Sequence, residues 1–244
     1  LRICTVITSL VIAAISASDS VSAGAVTFGT GANTFTMDFT TIGSPGNADD
    51  TTGDPNPAGA VGYTYQMGTY EVSEDMITKY NANFGTANSL AITKNTRGAD
   101  KPATSVSWNE AARFVNWLNT SKGYQAAYKF TTSGVNDNIA LWTSGDAGYD
   151  AANPFRNSLA TYVLPSMDEW YKAAFYNPVT DTYGDYATAN GLVPTAVASG
   201  TGANTAVFGQ TYTQGPADIT LAGGLSAFGV MGLSGNVWEW EKTT

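Results

Sequence analysis

The alternation of Phe35, Met37 and Phe39 with Thr36, Asp38 and Thr40 predicts a strand that turns one face to a core. Tyr63 to Val72 alternates in the same way and predicts a second strand. Ser73 then reads as the N-cap of a short helix reaching about Asn83, with Glu74 and Asp75 in the first turn, where the helix dipole favours carboxylates. A helical period is clearest further on. Trp108, Ala111, Ala112, Val115 and Leu118 recur on one face behind a capping box of Ser107 and Glu110. Pro165, Ser166 and Glu169 open a third helix that turns Trp170, Ala173 and Ala174 inward. Trp108 and Trp170 both read as core anchors.

Between these elements the pattern dissolves. Residues 43–60 gather Gly, Pro, Asn and Asp without period and predict a loop. Asn47, Asp49, Asp50 and Asp54 lack the terminal bidentate Glu of a known calcium loop, so a solvated turn is expected there. From Asn177 to Ala227 the chain is again rich in Gly, Ala, Thr and Asn. A loop of that length needs pins, and Tyr183, Tyr186, Phe208 and Tyr212 are available for that role.

Composition supports this picture of few regular elements. Hydrophobic residues make up 43% of the 244 positions, enough for one sizeable core, while only 13% are charged and 26 are glycine. The net charge of −9, with 11 Lys and Arg in all, opposes a phosphate-backbone partner, and no nucleic acid is expected. Histidine is absent, which removes Ser-His-Asp and Cys-His nucleophiles and every histidine metal site.

The single cysteine is Cys4, inside a stretch that reads as an export signal. Arg2 supplies the positive end, Ile3 to Ile15 the apolar run, and Val21-Ser22-Ala23 or Ala23-Gly24-Ala25 the small residues of a cleavage site. The run falls short of the ~20 residues of a membrane span, so no stable span is expected. Residues 1–25 are thus read as signal peptide, 26–59 as an N-terminal strand and loop segment, and 60–244 as the main domain. The first residue is Leu1 rather than methionine, consistent with an alternative start codon or a record that begins inside a longer frame.

The densest chemistry lies in Leu233-Ser234-Gly235-Asn236-Val237-Trp238-Glu239-Trp240, where two tryptophans bracket one carboxylate. A carboxylate drawn in beside indoles must be met by hydrogen bonds, a cation or a metal. Together with Gly68 to Ser73, Pro102 to Asn119 and Tyr162 to Ala174, in this order and spacing, the segment resembles the formylglycine-generating enzyme family, also called the sulfatase-modifying factor domain. The lead-in from Asn47 to Tyr65 is similar to that of secreted bacterial members. The resemblance implies an α+β, C-type-lectin-like fold with little regular secondary structure.

Catalytic members of that family hold copper on a cysteine pair downstream of the Trp-Glu-Trp segment and oxidise a substrate cysteine to formylglycine. Soft thiolates suit monovalent copper. This chain stops at Thr244, before that region, and the ending is expected to be a truncation. The lack of histidine sets it apart from the iron-dependent sulfoxide synthases that share the domain type. The resemblance also implies a structural calcium, held by backbone carbonyls of Gly235 and Val237 and by the carboxylate of Glu239. The family's fourth contributor, an Asn or Asp, falls on Gly232, so one side-chain oxygen is missing and Asp at 232 is expected to restore it.

Three functions remain open on the sequence: a secreted or cell-surface domain without oxidase activity in these residues, an oxidase whose cysteine pair lies downstream, and a lectin-like binding or display module. In the last, the 177–227 loop would meet a protein or peptide ligand. The Glu-Pro-Asn and Gln-Pro-Asp tripeptides of sugar-binding lectins do not occur, nor do cysteines for their disulfides.

Overall fold

The computed structural model describes residues 8–9, 13–14, 24–131, 134 and 138–242. Strands β1 (Thr8–Ser9), β2 (Ala13–Ala14), β3 (Gly24–Phe28), β4 (Phe35–Ile42) and β5 (Tyr65–Gly68) precede helices α1 (Glu74–Tyr80) and α2 (Trp108–Thr120). The two-residue strands β6 (Lys129–Phe130), β7 (Ile139–Ala140) and β8 (Tyr162–Val163) lead to helix α3 (Met167–Phe175). Beyond it lie β9 (Tyr176–Asn177), β10 (Thr182–Tyr183), β11 (Thr195–Ala196), β12 (Thr205–Ala206) and β13 (Trp238–Glu239). The fold is α+β with little regular secondary structure.

One five-stranded sheet, in the order β3-β4-β5-β2-β8, organises the molecule. The alternation in β4 does what the sequence predicts: Phe35, Met37 and Phe39 are buried, while Thr36 and Asp38 face out. Antiparallel β3 extends this pairing from Phe28 opposite Phe35 to Gly24 opposite Phe39. Strands β3 and β4 of the N-terminal segment therefore share a sheet with β5 of the main domain. Strand β5 is shorter than the alternation from Tyr63 to Val72 suggests. After Gly68 the chain leaves the sheet, and the Val72 carbonyl instead accepts from the Ala103 N–H at 2.8 Å.

The expected export signal falls mainly outside the described residues. Its two described pieces pair with the domain: Ala13–Ala14 lies between β5 and β8, and Thr8–Ser9 runs parallel to Trp238–Glu239. No helix among the described residues is long and apolar enough to cross a membrane.

All three expected N-caps form. Ser73 accepts from the Met76 N–H, and both Ser107 with Glu110 and Ser166 with Glu169 close complete capping boxes. Helix α1 continues into one π-helical turn, Asn81–Gly85. Helix α2 buries more than its predicted face, adding Phe114 and Trp117, while Trp108 is only partly buried. Phe114 and Trp117 join Phe28, Phe35, Tyr80 and Tyr162 in one aromatic cluster with ring centroids 5.2 to 6.5 Å apart. Burying each such ring stabilises the fold by roughly 1.5–3 kcal/mol.

The loops are held by means that composition did not reveal. In the 43–60 loop, Asn47 donates to the Gly59 carbonyl at 2.7 Å, and Asp50 accepts from the Thr52 N–H and the Tyr171 hydroxyl. Of the four aromatics expected to pin residues 177–227, Tyr183 does so, tilted beside Tyr171 and edge-on to Tyr176. Tyr186 and Phe208 instead face solvent, while the exposed Tyr212 is tied down by Arg97, which lies 4.8 Å from its ring centroid and donates to its carbonyl at 3.1 Å. Small residues act as further pins: Ala206, Val207, Ala217 and Ala222 are buried. A Cβ on Gly223 would stand 2.7 Å from the Ala206 Cα, so glycine is required for that backbone approach.

Candidate functional site

The Trp-Glu-Trp segment is stitched across the starts of α2 and α3 by three indoles. Trp240 Nε1 donates to the Val106 carbonyl at 2.7 Å, and Trp108 Nε1 returns to the Glu241 carbonyl at 3.1 Å. Trp170 Nε1 donates to Glu239 Oε2. The backbone closes the seam, with Lys242 N–H on the Pro165 carbonyl at 2.8 Å and Met167 N–H on that of Lys242 at 3.2 Å. Trp108 and Trp170 are therefore more than core anchors, since their N–H groups fix the motif. Trp238 differs from its neighbours in being 41% exposed, because strand alternation turns it away from the face that takes Glu239.

The turn before β13 has its own steric logic. A Cβ on Gly235 would meet the Val207 carbonyl oxygen at 2.2 Å, and the next residue's N–H donates to that same oxygen at 2.6 Å. Asn236 sits in the left-handed region at φ 65°, which Asn tolerates. Its side chain is fully used, with Oδ1 accepting from the Ala217 N–H at 2.8 Å and Nδ2 donating to Glu71 Oε2 at 2.7 Å.

Glu71 is the residue that sequence reasoning missed. It lies within the Gly68 to Ser73 segment already noted, yet nothing local shows that it meets a turn 165 residues away. The usable signal was an acidic residue set between Tyr70 and Val72 just before a helix cap, where an unpaired carboxylate has no local reason to be. It is 1% exposed. Glu71 Oε1 and Glu239 Oε1 are both enclosed, and neither has a hydrogen-bond partner. Lys79, Lys94, Lys101, Lys129 and Arg156 pair with other carboxylates: Asp75, Glu74, Asp218, Asp146 and Glu169.

Burial pushes the Glu71 carboxyl up to about 8, against the pull of the Asn236 amide. Burial also holds Glu239 well above the usual carboxylate range, and the nearby Glu71 adds to the rise while the Trp170 indole opposes it. Glu241 is raised by burial to about 7. Enclosed carboxylate oxygens without donors or counter-charge are costly. Such a corner can hold a hard cation.

The expected ligands separate as follows. Glu239 presents an unpartnered oxygen, and the Gly235 carbonyl accepts only the Val237 N–H at 2.8 Å, leaving a second lone pair. Among the described residues no three His, Cys, Asp or Glu side chains converge, so a cation here would depend on backbone carbonyls as well. An Asp at 232, expected to restore an oxygen, would have to share its space with the Glu71 carboxylate. Gly232 has φ 88°, and a Cβ there would stand 3.1 Å from Glu71 Cδ. A separate cleft of about 340 Å³ is lined by Arg113, Trp117, Phe130 and Trp142 among others and includes no residue of the motif.

A family model described as the sulfatase-modifying factor enzyme 1-like domain matches residues 20–244. No curated protein and no solved structure matches the chain.

Proposed function

The chain belongs to the sulfatase-modifying factor enzyme 1-like domain family, and on that premise we propose that it is an exported domain, braced by calcium, whose 244 residues do not themselves oxidise cysteine. The observation that carries the last point is the thiol inventory: one cysteine, Cys4, in the expected leader, and no histidine. A site for monovalent copper needs soft sulfur ligands, and a mature chain starting near Gly24 has none. Incubating the purified chain with copper, oxygen and a Cys-x-Pro-x-Arg peptide should leave the peptide unchanged by mass spectrometry. Formylglycine above a no-protein control would overturn the proposal. The competing oxidase is decided by the downstream coding sequence, where two closely spaced cysteines would favour it.

Calcium fits the residues present. Glu239 with its enclosed free oxygen and the carbonyls of Gly235 and Val237 would hold it, all of them hard donors. Bound there, calcium would supply charge balance and crosslink the turn to β13, a structural rather than catalytic task.

Export is read on the N-terminus. Cleavage before Gly24 keeps β3 whole, whereas cleavage before Val26 removes the pairs Gly24 with Phe39 and Ala25 with Asp38. We therefore expect exported protein to begin at Gly24, which also opens the seam that Ala13–Ala14 fills between β5 and β8. Recovery of intact residues 1–25 in the membrane fraction would contradict export by cleavage. A display role is favoured by one further feature: Leu192, Val193, Phe208 and Tyr212 all point outward from the long loop. Such apolar exposure suits a protein or peptide ligand, and a pull-down against envelope proteins tests it.

A further inference from the structure

We propose that Glu71 is a ligand of the cation at Glu239, standing in for the side-chain oxygen that Gly232 lacks. This inference rests on the calcium reading above and extends it to a residue outside the motif.

Three observations carry it. The first is occupancy of space. A Cβ on Gly232 would lie 3.1 Å from Glu71 Cδ and 3.2 Å from Glu71 Oε1, so the Glu71 carboxylate fills the volume a side chain at 232 would enter. Glycine at 232 and a carboxylate at 71 are therefore two halves of one arrangement.

Aim is the second. Asn236 Nδ2 holds Glu71 Oε2 at 2.7 Å and leaves Oε1 enclosed and unpartnered. Asn236 is the residue between Gly235 and Val237, the two positions whose carbonyls would bind the ion. A single amide thus orients the Glu71 carboxylate from within the candidate ligand turn.

Charge is the third. Glu71 and Glu239 raise the cost of each other's ionisation when no cation lies between them. Among the described residues neither forms an ion pair with Lys or Arg. A divalent ion balances two carboxylates completely. Calcium accepts six to eight oxygens in a flexible geometry, so two carboxylates, two carbonyls and water satisfy it, whereas magnesium demands near-ideal octahedral geometry and gives up water reluctantly.

The test uses the full chain, stripped with a chelator, and titrates calcium calorimetrically into wild type, Glu71→Gln and Glu239→Gln. Glutamine keeps the shape of Glu71 and can still accept from Asn236, so the fold is expected to persist. Calcium affinity is expected to fall at least about tenfold in Glu71→Gln, a loss of about 1.4 kcal/mol, and further in Glu239→Gln. In chelator, at a pH high enough to ionise the buried Glu71 carboxyl, the melting temperature of Glu71→Gln should equal or exceed that of wild type, because only wild type then buries an uncompensated charge. A purely structural Glu71 would give the opposite sign there. Glu71→Asp, which keeps the charge on a shorter stem, should bind with intermediate affinity and covers the case in which Gln misfolds. If Glu71→Gln or Glu71→Asp binds calcium as tightly as wild type while Glu239→Gln does not, the Glu71 assignment is wrong and the cation site stands. If wild type takes up no calcium, the cation reading itself fails.

Discussion

Glu169 and Glu239 are two carboxylates that meet at the start of α3, and they are treated in opposite ways. Glu169 is wholly buried, yet both its oxygens are met: Arg156 donates through two nitrogens at 3.0 and 3.1 Å, the Ser166 N–H donates at 2.7 Å, and Tyr63 adds its hydroxyl. The next residue along the helix, Trp170, gives Glu239 its one donor, an uncharged indole. The second oxygen of Glu239 has none, and its neighbour Glu71 shares the same want. Within one turn of helix the protein thus sets a carboxylate whose oxygens are all met beside a pair that keeps one unmet oxygen on each member. The difference identifies where a ligand belongs more sharply than burial alone does.

Breaking the complete site should have the largest effect. Arg156→Ala leaves Glu169 enclosed without its counter-charge and should cost about 3–5 kcal/mol, measured by urea unfolding; a loss under 1 kcal/mol would mean that Tyr63 and the helix cap suffice. The incomplete pair should respond with the opposite sign. In chelator above about pH 8, where Glu71 loses its proton, Glu71→Gln with Glu239→Gln removes buried charge and should stabilise by roughly 1–3 kcal/mol, and a destabilised double variant would show that the carboxylates are already satisfied. Trp170→Phe keeps the ring and deletes the N–H on Glu239, and is expected to cost about 1.5–3 kcal/mol. Gly232→Ala forces a side chain into φ 88° and against the Glu71 carboxylate; a loss of about 1–2 kcal/mol follows from the left-handed backbone alone, readable as a lowered midpoint in the same unfolding curves.

Much of this contrast was legible before any coordinates. The Ser166 and Glu169 capping box is a local pattern, and local hydrogen bonds depend on spacing that the sequence displays. Enclosure of Glu239 followed from its flanking tryptophans, although Trp238 itself faces out and the indoles that hold the segment are those of Trp108, Trp170 and Trp240. The alternation of β4 was readable because eight residues display a period, whereas β8, β9 and β13 are two residues each and display none. The role of Glu71 was hidden for a different reason. Its partners, Asn236 and the backbone beside Gly232, reach it only through the tertiary fold. The same is true of Arg156, whose partner is 13 residues away with no helical register between them. Composition told only part of the long loop, where Tyr183 and Tyr212 hold the chain but small buried residues pin it as well, since close backbone approach favours what has least side chain.

The central claim is that the corner of Glu71 and Glu239 is completed by calcium. It is tested most directly by the melting temperature of the full chain in millimolar calcium and in chelator. A ligand that binds only the folded state adds about 2.7 kcal/mol when its free concentration is about one hundred times Kd. The account predicts a saturable rise in melting temperature with calcium that is absent from the double glutamine variant. Superimposable curves for wild type in calcium and in chelator would contradict it.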